Sequence, residues 1–301
     1  MRNKWLRRLA TAVGALVTLV AAFAATVWIV SSRQIAATLS LPARPFTAGP
    51  RDSATLARGA HLVDAIGKCA DCHGEDLGGT VFVDDPGLGR VVAPNLTPGG
   101  RLASWSDAEI ERALRHGVTR DGRRLMVMPS EEYNRLSDED AAAVIAYLRT
   151  RPAVTRDLPA HDLRFLARAL MVTGQLPLFG AARIDHGRSA PARVVASTSA
   201  DYGKYLAEVG GCTGCHGPGL SGGKIPGTPP DWKPAANLTP SGIGTWSEAD
   251  FFRARREGRR PAGTPIDSIM PWKRTARMTD DEIRAVWLYL KTVPPRQYGT
   301  R

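Results

Sequence analysis

Between Leu9 and Val30 the chain carries no charged residue, and four cations, Arg2, Lys4, Arg7 and Arg8, stand ahead of the run. Its 22 residues would rise about 33 Å as a helix, enough to cross a hydrocarbon core of roughly 30 Å. Ala22-Phe23-Ala24 resembles a cleavage site, but apolar residues continue through Val27, Trp28, Ile29 and Val30, beyond the ~7–15 residues of a cleaved leader. The pattern predicts an uncleaved anchor over residues 1–31, its N-terminus held in the cytoplasm by the cations and the remainder of the chain outside.

Helical periodicity returns later, and it returns twice. Ala141, Val144, Ile145 and Leu148 fall at i, i+3, i+4 and i+7, as do Ile283, Val286, Trp287 and Leu290. Ser137 and Thr279 stand ahead of these runs as N-caps, and Ser106 with Glu109 and Ser247 with Asp250 open a middle helix in the same way. Helical stretches near 54–66 and 202–209 complete each set. The body of the chain is therefore written twice: Cys69 and Cys212 are 143 apart, Asn95 and Asn237, which begin matching Asn-Leu-Thr-Pro segments, 142, and Trp105 and Trp246, 141. This predicts repeated domains over 54–151 and 199–295, separated by a Pro-containing structured linker over 152–198. A Pro-rich stretch, 32–53, reads as a spacer lifting the first domain off the membrane.

The 301 residues include 43% hydrophobic and 23% charged, a globular balance that excludes wholesale disorder, and 30 Gly with 22 Pro point to long structured loops. The net charge of +11 raises the question of nucleic acid, because Arg253, Arg255, Arg256, Arg259 and Arg260 cluster. No aromatic residue is interleaved there and the chain is tethered outside the cytoplasm, so no nucleic acid is expected. The cluster reads as a solvated helix face or a docking face for an acidic redox partner.

All four cysteines fall in two Cys-x-x-Cys-His pentapeptides, Cys69 to His73 and Cys212 to His216. This is the attachment signature of c-type haem: two thiols on one helical turn add to the porphyrin vinyl groups, and the next residue sets an imidazole under the iron. A thioredoxin-like pair or half a zinc site would not need the His in both copies. Two covalently bound haem c groups are expected, with His73 and His216 as axial ligands. Opposite them, Met128 and Met270 share a Met-Pro pair at matched positions, while Met126 aligns with Ser268. His116 is an alternative distal ligand in the first domain, although its counterpart is Glu257; His61, His161 and His186 read as structural. Trp105 and Trp246 could reach a haem propionate or pack the core, and Asn95 and Asn237 could brace their loops.

Taken together, Cys-x-x-Cys-His, Asn-Leu-Thr-Pro, Trp-Ser with an acidic cap, Met-Pro and the capped final helix resemble tandem class I cytochrome c, as in the cytochrome subunits of bacterial alcohol, gluconate and aldehyde dehydrogenases. The resemblance covers about 54–150 and 200–294. It implies an all-α fold, two class I cytochrome c domains after one N-terminal transmembrane helix. It implies an electron carrier with no catalytic residues, on the periplasmic side of a bacterial inner membrane, serving redox protein partners. Several such subunits carry three haem motifs where this chain has two. A cytochrome subunit of a terminal oxidase and a dihaem cytochrome c peroxidase are the alternatives, the latter requiring inequivalent haems where both copies here offer a Met.

Overall fold

The computed structural model describes residues 2–229 and 231–301. A long helix, α1 (Arg2–Ala36), stands at the N-terminus with its apolar side chains outward: Leu16, Leu19 and Phe23 are all more than half exposed. The span 3–36 has a mean hydropathy of 2.3 over its most apolar window, with 6% of it buried.

The first repeat opens with α2 (Ser53–His61), capped by Asp52, and runs through a π-helical turn, Leu62–Ile66, to α3 (Ala70–His73). A hairpin, β1 (Thr80–Asp85) and β2 (Gly89–Ala93), precedes α4 (Asp107–His116), α5 (Ser130–Tyr133) and α6 (Asp138–Thr150). The linker adds β3 (Asp162–Leu163), which pairs antiparallel with β2, and α7 (Phe165–Val172). In the second repeat follow α8 (Ala200–Val209), α9 (Cys212–His216), α10 (Pro240–Ile243), α11 (Glu248–Glu257), α12 (Trp272–Thr275) and α13 (Asp280–Thr292). The fold is helix-rich, with the three-stranded sheet as its small departure from an all-α chain.

Each repeat is built on one tight helix crossing. Gly59 of α2 lies against α6 so closely that a Cβ would meet the Ala143 carbonyl at 2.1 Å, and a Cβ on Gly203 of α8 would meet Ala285 O of α13 at 1.8 Å. Glycine at both crossings lets the backbones touch. From Gly59 to Cys69 is one residue longer than from Gly203 to Cys212, and the extra residue is absorbed by the π turn, the usual result of an insertion in a helix. The apolar faces predicted for α6 and α13 are inward: Ile145 and Ile283 are fully buried, each worth ~1.5–3 kcal/mol over an exposed position. Ser106 and Ser247 form complete capping boxes with Glu109 and Asp250, as does Thr279 with Glu282, while Ser137 accepts from the Asp140 N–H.

Residues 37–52 differ from the expected spacer. They strap the first repeat: Arg44 pairs with Glu111 and Asp138, Phe46 packs on the core, and Ala48 N–H donates to Asp107. The linker likewise has its own small core, in which Val91, Leu163, Met171 and Phe179 pack with Met126 and with Ile35 from the end of α1. A single larger core joins the two repeats, with Leu62, Ile66 and Tyr133 from one meeting Tyr205, Leu206 and Val209 from the other.

Candidate functional site

Each Cys-x-x-Cys-His segment is one helical turn entered and left through left-handed residues. Lys68 (φ 53°) and Gly211 (φ 71°) precede the first Cys, and Gly74 (φ 81°) and Gly217 (φ 82°) follow the His. Lys68 is not a glycine, and its ammonium is tied to the carbonyls of Ile66 and, across the repeats, Gly210 at 2.6 Å, which helps hold the strained conformation. Leu77 and Leu220 are also left-handed, at φ 59° and 57°, and buried in the core behind the two turns.

The two imidazoles are set alike. His73 Nδ1 lies 2.7 Å from Pro94 O, and His216 Nδ1 lies 2.7 Å from Ala236 O. A carbonyl only accepts, so Nδ1 carries the proton and Nε2 keeps its lone pair, the tautomer a metal ligand needs. Burial pushes both imidazoles down, His216 to about 4, where Arg255 and Arg301 add their repulsion to desolvation and the Ala236 bond opposes it. All four cysteines are free of disulfides, and burial raises the thiols of Cys69, to about 12, of Cys72, to about 11, and of Cys215. Thioredoxin-type exchange requires the opposite shift.

The turns open on one continuous cavity of about 1750 Å³, well above the 300–1,000 Å³ of an ordinary small-ligand site. Cys69, Cys72, His73 and Met128 line it, as do Cys212, Cys215, His216 and Met270. Free thiols beside a neutral imidazole, facing a large apolar-walled space twice over, fit two covalent haems. Met126 also lines the cavity; it packs against the linker core, whereas Met128 packs against the core that holds Cys69. Among the lining residues His116 is absent: its Nδ1 meets His186 Nδ1 at 3.0 Å, in the linker. Trp105 and Trp246 reach the wall, and Asn95 and Asn237 brace their loops, each amide oxygen accepting from the Thr two residues on while Nδ2 donates to Val154 O or Arg296 O.

Within the predicted basic cluster four of the five arginines have their own partners. Arg253 pairs with Asp250, Arg256 with Asp280, and Arg259 and Arg260 donate to the Gly263 and Pro265 carbonyls, while Arg255 turns inward to the cavity.

Comparison with known proteins agrees with this geometry. Residues 54–148 match the family described as cytochrome C oxidase, cbb3-type, subunit III, and residues 200–294 match the family described as cytochrome c. The chain is a tandem cytochrome c. The cytochrome is 29% identical over 288 residues to a "Diheme cytochrome c-type" of Cereibacter sphaeroides, covering 83% of this chain and 91% of that protein. It is also 29% identical over 270 residues to the fructose dehydrogenase cytochrome subunit of Gluconobacter japonicus, and over 280 residues to a nicotinate dehydrogenase component of Pseudomonas putida. These cover 80% and 84% of the cytochrome but only 53% and 22% of those proteins, so it spans about half or less of their length. Its two domains carry two covalent haem c groups.

Among the residues that the fold brings to the cavity and sequence reasoning did not place there are His161 from the linker, Glu132 and Arg255. The last two left a signal, because the repeat pairs Glu132 with Arg274 and Leu114 with Arg255, changes of charge at matched positions.

Proposed function

We propose that this cytochrome passes electrons through its two haems between a dehydrogenase and an acceptor at the outer face of a bacterial cytoplasmic membrane. The observation that carries the reading is the single cavity, which brings both attachment turns to one space across the domain interface. Electron tunnelling falls steeply with distance, so adjacent haems form a wire.

When bound, each haem supplies a reversible one-electron iron couple. The chain supplies the rest. His73 and Met128 would hold one iron, His216 and Met270 the other, with Nδ1 of each His locked by its carbonyl partner. The apolar wall excludes water and, with thioether ligation, favours the ferrous state. The facing turns are held in register by reciprocal contacts: Arg274 of the second domain binds Asp71, inside the first attachment turn, at 2.8 Å, and Glu132 of the first lies against Gly214, inside the second.

Membrane anchoring through α1 is supported by the way α7 grips it. Arg168 stacks over Trp28 at 4.1 Å and donates to Ser31 and Ser32, and Phe165 meets Phe23 edge-on. The end of α1 reaches the wall of the shared cavity through Ile35 and Ala36, and Ile35 packs with Val91 and Met126 of the first repeat, which supports reading the first haem as the membrane-proximal one.

The test is to purify the full chain from native membranes with its partners and add dehydrogenase substrates. Reduction of both haem α-bands by a co-purifying dehydrogenase supports the reading. The match of residues 54–148 to a cbb3-type family favours a second acceptor class, and co-purification with an oxidase alone would select it.

A further inference from the structure

We propose that Arg255 is the buried counter-cation of a propionate on the haem attached at Cys212 and Cys215, and that it raises this haem's reduction potential relative to that of its twin. Arg255 lies on α11 and is 8% exposed. Among the described residues its guanidinium has no hydrogen-bond or carboxylate partner; Nε is buried and unsatisfied, and the plane rests on the Phe251 ring at 5.5 Å. Other arginines with an unsatisfied Nε, such as Arg112, Arg115 and Arg253, place their terminal nitrogens on carbonyls or carboxylates.

A buried guanidinium without an anion costs several kcal/mol. Arg255 lines the cavity that holds His216, and the anions that enter this cavity are the carboxylates of the haem itself. Arg is suited to that partner because its planar fork matches a carboxylate bidentately.

The repeat shows what the residue adds. Gly117 and Gly258 are the matched left-handed C-caps of α4 and α11, and counting back three residues from each sets Leu114 opposite Arg255. Leu114 also lines the cavity. One haem therefore packs on a leucine where the other meets a cation. A positive charge in a low-dielectric wall opposes the ferric state, so the second haem is the better electron acceptor. With the first haem nearest α1, this asymmetry directs electrons away from the membrane side.

The inference rests on haem c at His216 and is independent of which partner donates. It is tested by potentiometric titration of the full-length dihaem protein in detergent, with intact mass confirming two haems in every variant. Arg255→Leu, the residue the first pocket already tolerates, should lower one of the two Nernst components about tenfold in equilibrium constant, about 59 mV, and leave the other in place. Arg255→Lys should recover part of the shift. If the leucine variant loses the second haem, Arg255→Gln, which keeps length without charge, carries the same expectation. Two unshifted components in a dihaem Leu or Gln variant, or a Lys variant that behaves as Leu, would overturn the proposal.

Discussion

His61 Nε2 stands 2.7 Å from Glu282 Oε2, joining the first helix of one domain to the last helix of the other. The reverse contact exists: Tyr205, the counterpart of His61, donates to Asp140, the counterpart of Glu282, at 2.6 Å. Arg58 holds Asp140 through two bonds and reaches Glu282 as well. Both acids sit three residues after an N-cap, with the cap hydroxyl accepting from their backbone N–H. The same acids that open α6 and α13 therefore pin the domains together, and the interface has an approximate two-fold symmetry inherited from the duplication.

Glu282→Ala should destabilise the protein by about 3 kcal/mol, because it strips His61 of its carboxylate partner, takes the third contact of Arg58 and removes half of the Thr279 capping box. Tyr205→Phe should cost only ~1 kcal/mol, as Asp140 keeps Arg58. Chemical denaturation of the holoprotein measures both. Equal small losses would show that the Glu282 cluster does not hold the domains.

Glu132 is pushed up to about 7, chiefly by burial against the second attachment turn, with Lys68 opposing and Glu131 adding to the rise. A folded value above the ordinary 4.5 means the folded state holds the proton more tightly, so this group's contribution is full below pH ~4.5 and is lost as pH rises through ~7. Glu132→Gln should flatten that fall, and its melting temperature should exceed that of the parent protein at pH 8 while matching it near pH 4.5. Parallel pH profiles for the two proteins would refute the assignment.

The helices and caps are legible in the sequence because local rules govern them: serine or threonine before an acidic N3, and an apolar stripe at helical spacing, need no knowledge of the neighbours. The prolines of residues 37–52 disfavour helix and so suggest a free spacer, yet a proline-rich strand can lie along a core, and Phe46 and Arg44 give it reason to do so. The β1–β2 hairpin lies outside the all-α expectation although Pro86-Gly87 marks its turn, which the Asp85 carboxylate closes by accepting from two backbone N–H groups; its two strands are a small insertion in a helical repeat. The two Cys-x-x-Cys-His turns are legible from spacing alone. Their convergence on one cavity depends on contacts 140 and more residues apart, such as Arg274 with Asp71 and Lys68 with Gly210, which no local pattern announces.

The anchor should remain on the mature protein. Edman or mass analysis of protein taken from membranes should find residues ahead of Ala25 present, Phe23 with its edge-on contact to Phe165 among them, and release should require detergent rather than salt or carbonate. A mature N-terminus near Ala25 and a fully soluble protein would remove the anchor reading.

The first domain offers two methionines to one iron, and the residue between them separates their surroundings. Val127 is left-handed at φ 66°, a costly conformation for a β-branched residue, and its N–H is held by Leu178 O of the linker at 2.6 Å. On one side Met126 joins the linker core; on the other Met128 joins the core that carries Cys69, and Pro129 and α5 follow it as Pro271 and α12 follow Met270. The repeat and the packing thus select the same residue. Met128→His should lower that haem's potential and remove half of the weak near-infrared thioether–iron band of the ferric protein, because imidazole stabilises ferric iron more than a thioether does. Met126→Leu should leave the band and both potentials in place, at a stability cost of under ~1.5 kcal/mol for a volume-conserving swap in the linker core. Loss of half of the band in Met126→Leu, with Met128→Leu keeping all of it, would transfer the ligand to Met126 and make the Val127 turn the device that presents it.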